Sequence, residues 1–236
     1  MDFETNLKFE IMQQGADFVH YVDISQLSDE QNKHYTSAIL IGITLSAAYI
    51  QKITSTPDYV PRMISNNQKS TDEFYLKEAE VDRLADFIAD YLKSKGYAAF
   101  SQSEVNLDQT GFYDEKKKRT PLPHKTIAVL AGLGWIGKHN LLITPDFGSA
   151  LCICTVLTDA PLTTVLHSPA NSQCGSCSIC ATVCSVKAIK GRTWDISTSR
   201  DEMVDVYKCN CCLECLAFCP WTQKYVKKKD SIPFCE

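Results

Sequence analysis

The chain has 236 residues, enough for one large and one small domain, since a domain typically takes about 100–200 residues. Its 24 basic and 28 acidic residues leave a net charge of −4, which gives no electrostatic signal for nucleic acid, so nucleic acid is predicted to be an unlikely partner. No run approaches the roughly 18 apolar residues of a membrane helix, and the charged N-terminus lacks an apolar signal core, so no membrane partner and a cytoplasmic location are expected.

Helix and strand patterns alternate in the first hundred residues. Phe3–Gln14 predicts a helix and Phe18–Ile24 a short strand. The nearly continuous apolar run Ala38–Leu45 is typical of a strand that is covered on both faces. Ala79–Lys95 has the clearest helical pattern, because its apolar residues recur on one face and Gly96 follows as a stop signal.

The next stretch mixes shorter elements. Ala98–Val105 predicts a strand, Asn106–Leu122 a long polar loop or lid, and His124–Ala131 a helix. Leu141–Thr144 and Ala150–Val156 predict two strands that are joined by a turn. We therefore expect an α+β chain, with an α/β layered domain over residues 1–166 and a second domain, built around metal sites, over residues 167–236.

A glycine-rich loop follows the predicted helix at residue 131. The spacing of Gly132, Gly134, Gly137 and Lys138 matches both dinucleotide-binding and phosphate-binding loops. Both motifs require a helix directly after the glycines, whereas a strand is predicted here, and His139 replaces the magnesium-binding hydroxyl. We therefore predict neither ATP hydrolysis nor NAD(P)H-dependent hydride transfer. The glycines indicate close backbone packing, either against the core or against a flat cofactor.

Two cysteine runs with the spacing C-x2-C-x2-C-x3-C dominate the last third. This spacing is the bacterial ferredoxin signature of cubane iron–sulfur clusters, in which the fourth cysteine of each run ligates the other cluster. Two 4Fe-4S clusters are therefore predicted, rather than the disulfide framework of a secreted protein. The expected ligands are a first cysteine set, Cys174, Cys177, Cys180 and Cys219, and a second cysteine set, Cys209, Cys212, Cys215 and Cys184.

Four further cysteines lie outside this ligand scheme. Cys152 and Cys154 fall on one face of a predicted strand and are interpreted as small buried hydrophobic residues. Cys211 lies within the second run at the wrong spacing, so it is expected to be a spectator. Cys235 is predicted to be a free thiol.

The segment 130–162, LAGLGWIGKHNLLITPDFGSALCICTVLTDAPL, followed by CGSCSICATVC and a second run that ends in CPW, resembles the epoxyqueuosine reductase family. It is similar, more distantly, to the reductive dehalogenases. The resemblance implies a nitroreductase-like cobalamin-binding domain joined to a two-cluster, bacterial ferredoxin-like domain. It further implies that Gly132, Gly134, Gly137 and Lys138 lie at the cobalamin, and we expect this loop near the second cysteine set.

The chain departs from that family at the expected proton donor. Lys118 stands where the epoxyqueuosine enzymes carry an aspartate, three residues before Pro121, and His124 stands where they carry a glutamate. His124 is the candidate proton donor, because an imidazole titrates near neutral pH; Lys118 and Tyr75 are weaker candidates. We expect a compact form without the helical-repeat extension used for transfer RNA, and a different, small-molecule substrate.

The resemblance favours a cobalamin-dependent iron–sulfur reductase that takes electrons from a donor such as ferredoxin or flavodoxin. Two alternatives stay open at the level of sequence. The same fold with a flavin, FMN, in place of cobalamin would be a flavin-dependent iron–sulfur reductase. A protein with no substrate site of its own would be an electron-transfer or reducing partner of another corrinoid protein.

Overall fold

The computed structural model describes residues 2–231, so Cys235 lies outside the described residues. Helices and strands alternate along the first two thirds of the chain, and short helices follow. The helices are α1 Phe3–Gln13, α2 Asp29–Asn32, α3 Ala47–Ser55, α4 Tyr59–Ser65, α5 Glu73–Ser94, α6 Glu104–Gln109, α7 His124–Leu130, α8 Ile179–Val183, α9 Arg200–Met203, α10 Glu214–Ala217 and α11 Pro220–Asp230, with a 3-10 turn at Lys69–Thr71. The strands are β1 Phe18–Asp23, β2 Ser37–Thr44, β3 Ala99–Ser101, β4 Trp135–Ile136, β5 Leu142–Ile143 and β6 Leu151–Thr158. The expected α+β class is confirmed.

The chain forms two compact units, and each contains three stretches of sequence. Unit 1 contains the described residues up to Ile43, Lys77–Gly132 and Cys152–Ser168. Unit 2 contains Thr44–Leu76, Leu133–Leu151 and the residues from Pro169 onward. The predicted domain boundary at residues 166/167 stays a prediction, although the last change of unit along the chain falls between Ser168 and Pro169.

Unit 1 is built on a four-stranded sheet in the order β1-β2-β6-β3. Strand β1 pairs antiparallel with β2, and β3 pairs antiparallel with β6. The first seven residues of β2 are buried, as the continuous apolar run predicts for a strand without a wet face. Gly42 of β2 lies opposite Phe18, whose ring occupies the space where a side chain at Gly42 would be.

Two helices differ from the sequence expectation for a local reason. Helix α5 begins six residues earlier than predicted, because the buried Asp72 carboxylate accepts the N–H of Phe74 at 3.0 Å. The strand predicted over Ala98–Val105 ends at Ser101, and α6 starts at Glu104, where the Asp82 carboxylate accepts the Glu104 N–H at 2.9 Å. A carboxylate at a helix N-terminus satisfies an otherwise unpaired donor, so part of the predicted loop becomes helix.

Unit 2 packs short helices around the cysteine runs. Helix α3 contacts α10 and α11, and α10 contacts α8. The Tyr225 hydroxyl on α11 donates to the Leu45 carbonyl at 2.9 Å. The predicted strand at residues 141–144 forms a hairpin with β4 (Trp135↔Ile143), and β6 lies in the unit 1 sheet. No described helix is long and apolar enough to cross a membrane.

Candidate metal centre

Within unit 2, the four thiols of the first cysteine set line one cavity of about 210 Å³. Cys174 and Cys177 lie on one turn, closed by the Cys177 N–H, which donates to the Cys174 carbonyl at 3.0 Å. Cys180 lies on α8, and Cys219 immediately precedes Pro220 at the start of α11. The structure thus brings Cys219 from the second run to the three leading cysteines of the first run.

An apolar wall closes part of this cavity. Trp135 and Ile143 pack with Cys219, and Cys174 and Trp221 contact the same group. The two indole rings meet edge to face, with their centroids 4.8 Å apart. Trp135 is 1% exposed, and its Nε1–H has no hydrogen-bond partner in the part of the chain that the structure describes. A buried donor without an acceptor costs about 1–3 kcal/mol, so the site is short of one acceptor close to the cysteines.

Lys138 reaches the same cavity from the glycine-rich loop. Its ammonium donates to the carbonyls of Gly175 at 2.7 Å and Cys177 at 3.0 Å, and its side chain lines the cavity. The loop was expected beside the second cysteine set. The structure shows that the Lys138 ammonium of this loop contacts the turn of the first set, through the carbonyls of Gly175 and Cys177.

The thiols of the first set affect one another. Burial and then the neighbouring thiols of Cys174 and Cys219 raise the pKa of the Cys180 thiol to about 11. Four thiolates around one cavity repel each other, so they need a cationic group between them to stay deprotonated. Iron supplies such a charge, and the residues therefore fit an iron–sulfur cluster.

The thiols of the second cysteine set also lie close together in unit 2. Burial, followed by Cys212 and Cys209, raises the pKa of the Cys215 thiol, and Cys184 also contributes. Cys184 is buried and accepts the Ala188 N–H at 3.2 Å, whereas Cys209 is exposed. The set therefore has one sheltered member and one that faces solvent.

Cys211, the expected spectator, contacts the second set. A hydrogen bond from Cys211 lowers the pKa of the Cys209 thiol to about 6. Within residues 2–231, no group of three or more His, Cys, Asp or Glu side chains is arranged to hold a metal ion. The first set surrounds a cavity without converging on a point.

The three glycines of the loop have different surroundings. A side chain at Gly134 would collide with the backbone carbonyl of Ile143, across the β4–β5 hairpin. A side chain at Gly137 would meet the side chains of Ile143 and His139. Packing within unit 2 therefore explains why both positions require glycine. Gly132 differs, because it is exposed in unit 1 with φ +75°, beside the His167 ring. Strand β5 follows the loop, so the helix that a phosphate-binding motif requires is not formed.

In unit 1, His124 belongs to a chain of hydrogen bonds that fixes its tautomer. Gln102 Nε2 donates to the Leu122 carbonyl at 2.9 Å, which turns Oε1 toward the Thr155 hydroxyl. Because that hydroxyl donates to Gln102 at 2.6 Å, it accepts from His124, whose Nδ1 lies 2.9 Å away. Burial lowers the pKa of His124 to about 4, so the imidazole is neutral near pH 7.

The weaker proton-donor candidates, Lys118 and Tyr75, belong to different units. Lys118 is exposed in a left-handed turn of unit 1, with its ammonium 3.4 Å from Glu115. Tyr75 lies in unit 2, where its ring contacts Phe74 and the Lys69 ammonium lies 5.0 Å from its centroid.

Sequence reasoning missed a row of half-buried carboxyl groups and buried thiols in unit 1. Glu78 and Asp82, one turn apart on α5, hydrogen-bond to Cys152 and Cys154, which are fully buried. Burial raises the pKa of Glu78 to about 7. The two cysteines are buried, as predicted, but they meet polar partners. The available signal was the spacing of one turn between Asp82, inside the predicted helix, and Glu78, directly before its first residue.

The fold and the cysteine-lined cavity define a mixed α+β protein with a candidate iron–sulfur centre. No family model matches the chain. The chain is 31% identical over 143 residues to the epoxyqueuosine reductase of Aliivibrio fischeri (strain ATCC 700601 / ES114), which corresponds to 59% of this chain and 37% of that relative. The expected resemblance to the epoxyqueuosine reductases is thereby confirmed. The chain spans well under half the length of this relative.

Solved structures share the fold. A catabolic reductive dehalogenase aligns over 95% of this chain and 33% of its own, with a TM-score of 0.62 and 20% identity. An epoxyqueuosine reductase with an epoxyqueuosine-modified tRNA stem loop aligns over 93% of this chain and 65% of its own, with a TM-score of 0.53 and 15% identity. A reductive dehalogenase described as B12-dependent aligns over 77% and 24%, with a TM-score of 0.53 and 22% identity.

These neighbours bear on the expected partners. One neighbour is bound to a tRNA stem loop and another to 3-bromo-4-hydroxybenzoic acid, so the expectations of a small-molecule substrate and of nucleic acid as an unlikely partner stay predictions. FMN has no support from the relatives.

Proposed function

We propose that this chain is an iron–sulfur reductase of the epoxyqueuosine reductase type, which passes electrons through two 4Fe-4S clusters to a cobalamin. The observation that carries the proposal is the cavity that Cys219 shares with the three leading cysteines of the first run. Exchange of the fourth ligand between two runs is the arrangement of two-cluster ferredoxins. Residues 167–236 would form this ferredoxin-like domain, and residues 1–166 a nitroreductase-like domain.

The cluster ligands would be the two cysteine sets, one cluster to each set. When bound, a cluster of this kind exchanges single electrons at a potential set by its surroundings. The chain's own groups shape those surroundings: Trp135 and Ile143 keep water from one side of the first site, and Lys138 holds the turn that carries Cys174 and Cys177. The exposed Cys209 makes the second site the one more open to an external donor, such as ferredoxin or flavodoxin.

Cobalamin is proposed from the relatives, one of which is described as B12-dependent. Gly132, Gly134, Gly137 and Lys138 are the candidate contacts. The exposed Gly132 fits this role, whereas Gly134 and Gly137 are already accounted for by the hairpin. His124, Lys118 and Tyr75 stay candidates for proton delivery. Because the His124 imidazole holds its proton on Nδ1 toward Thr155, its Nε2 would accept a proton rather than give one.

The substrate follows from the names of the relatives. Epoxyqueuosine in a tRNA stem loop is the first candidate, because the relative at 31% identity is an epoxyqueuosine reductase. Lys118, in place of the family's aspartate, is an exposed residue, so this substrate requires a different proton source. A halogenated aromatic acid is the second candidate, because one dehalogenase neighbour is described in complex with 3-bromo-4-hydroxybenzoic acid.

The test begins with anaerobic reconstitution and titration with hydroxocobalamin, followed by absorbance, with FMN as a parallel titration. A saturable spectral change with cobalamin alone is expected. The loaded protein is then given a chemical reductant and either an epoxyqueuosine-modified stem loop or 3-bromo-4-hydroxybenzoic acid. Reduction of one substrate, lost in Cys177→Ser and kept in Cys211→Ser, supports the proposal.

Three other results would point elsewhere. Clusters without any cobalamin response, combined with reduction of an added corrinoid protein, would identify an electron-transfer partner. Saturable FMN binding instead of cobalamin would identify the flavin enzyme. Stoichiometric zinc and no sulfide would refute the iron–sulfur proposal itself.

A further inference from the structure

Lys138 is a buried cation that has no anionic partner among the described residues 2–231. Its side chain is 9% exposed, and none of the described carboxylates lies within ion-pair distance of its ammonium. Its hydrogen-bond partners are the neutral carbonyls of Gly175 and Cys177. Lysine is almost never buried unless it is paired, because an ammonium loses its hydration on burial. The surroundings of Lys138 therefore call for a negative charge.

The cavity that Lys138 lines is where that charge would be. All four thiols of the first cysteine set face this cavity. A cubane held by four thiolates is anionic, and it gains a further negative charge on reduction. A cation at the edge of the cavity stabilises the reduced form more than the oxidised form, since the interaction grows with the charge.

The same ammonium also fixes the turn that carries two ligands. Gly175, with φ +51°, and Cys177 present their carbonyls to Lys138 from the two sides of Ser176. A side chain from the glycine-rich loop thereby holds the turn on which Cys174 and Cys177 lie. Residues that orient metal ligands through a hydrogen bond are a recognised determinant of metal affinity and potential.

We propose that Lys138 is a positioning residue for the first cluster: it holds the Cys174–Cys177 turn and supplies the counter-charge that raises the potential of that cluster. The inference rests on the proposed function, since it requires a cluster at the first cysteine set. It assigns the lysine of the glycine-rich loop to the cluster rather than to a phosphate or a nucleotide.

The experiment measures the midpoint potentials of both clusters in anaerobically reconstituted protein by redox titration with paramagnetic resonance. A Cys174→Ser variant identifies which signal belongs to the first cluster. Lys138→Gln keeps a donor for the two carbonyls but removes the charge. It is expected to lower the reduced-to-oxidised ratio of the first cluster at least tenfold, a shift of about 59 mV for one electron, and to leave the second cluster unchanged.

Two variants serve as controls. Lys138→Arg keeps the charge, so the reduced-to-oxidised ratio of the first cluster is expected to stay within about threefold of its value in the unsubstituted protein. Lys224→Gln removes an exposed charge that lies 5.4 Å from the Trp221 ring, and solvent screening should leave both potentials unchanged. A first-cluster ratio that stays within threefold in Lys138→Gln, or that shifts equally in Lys138→Arg, overturns the inference.

Iron content covers the case in which a variant cannot hold the cluster. Loss of about four irons in Lys138→Gln, with all iron kept in Lys138→Arg, supports the positioning role, since a cubane contains four irons. Loss of iron in both variants overturns the positioning role, because the charge that Lys138→Arg keeps would then not account for cluster retention. If the unsubstituted protein holds no clusters, the proposed function is refuted, and this inference with it. If the clusters are present but their potentials and iron content do not change on substitution of Lys138, the inference alone is refuted.

Discussion

The neutral His124 predicts a pH-dependent stability that a proton donor would not show. Its pKa falls from the ordinary 6.5 to about 4 on folding, because burial disfavours the imidazolium. Between these two values the unfolded chain binds the proton that the folded chain excludes. The stability that His124 contributes is therefore full above pH 6.5 and is lost as the pH falls toward 4.

The size of the effect follows from the two pKa values. At about pH 7.5 both states are neutral and the term is close to zero. At about pH 5.5 the unfolded imidazole is mostly protonated and the folded one is not, which costs about 1.4 kcal/mol of unfolding free energy. His124→Asn retains a donor toward Thr155 without a titrating group, so the loss between the two pH values should be smaller by this amount.

Anaerobic urea unfolding of both proteins at the two pH values measures the difference. Comparing the same interval in both proteins cancels other titrating groups, including Glu78, whose raised pKa acts in the opposite direction. Equal losses in the two proteins would refute the lowered pKa of His124. A turnover that falls about 10²–10⁴-fold in His124→Asn, with an alkaline limb at about pH 6.5 because a proton donor must be protonated to act, would instead identify His124 as the proton donor.

Three other predictions concern the cysteine sets, Gly134 and Trp135. Iron and sulfide analysis should return about eight of each per chain, unchanged in Cys211→Ser and reduced in Cys184→Ser; about four of each would contradict two cubanes. Gly134→Val should lower the free energy of unfolding by about 1–3 kcal/mol or more, because the new side chain would collide with the Ile143 carbonyl; an unchanged urea midpoint would contradict this. Trp135→Phe removes the unpaired N–H together with part of a buried ring, so it should cost at least about 1 kcal/mol more in the loaded protein than in the cluster-free protein; equal costs in both forms would show that no cluster sulfur accepts this N–H.

The sequence alone determined the mixed fold class and the cysteine spacing, because both are local properties. The apolar run of β2 and the one-faced pattern of α5 correspond to the observed elements, since burial follows periodicity directly. Cysteine spacing identifies the ferredoxin-like runs and the expected exchange of the fourth ligand, and the resemblance was visible in the glycine-rich loop. Helix boundaries that depend on a distant carboxylate were not predictable from local patterns. One example is the start of α6 at Glu104, whose N–H donates to the Asp82 carboxylate.

The tertiary structure alone decided which cysteine set the glycine-rich loop contacts. Lys138 and Trp135 precede Cys174, the first cysteine of the first run, by more than thirty residues, and no spacing rule relates them to it. Their places depend on the β4–β5 hairpin, which turns the loop so that the ammonium meets the Cys177 carbonyl. The neutrality of His124 has the same origin, because burial and hydrogen-bond partners, rather than residue type, set the pKa of an imidazole.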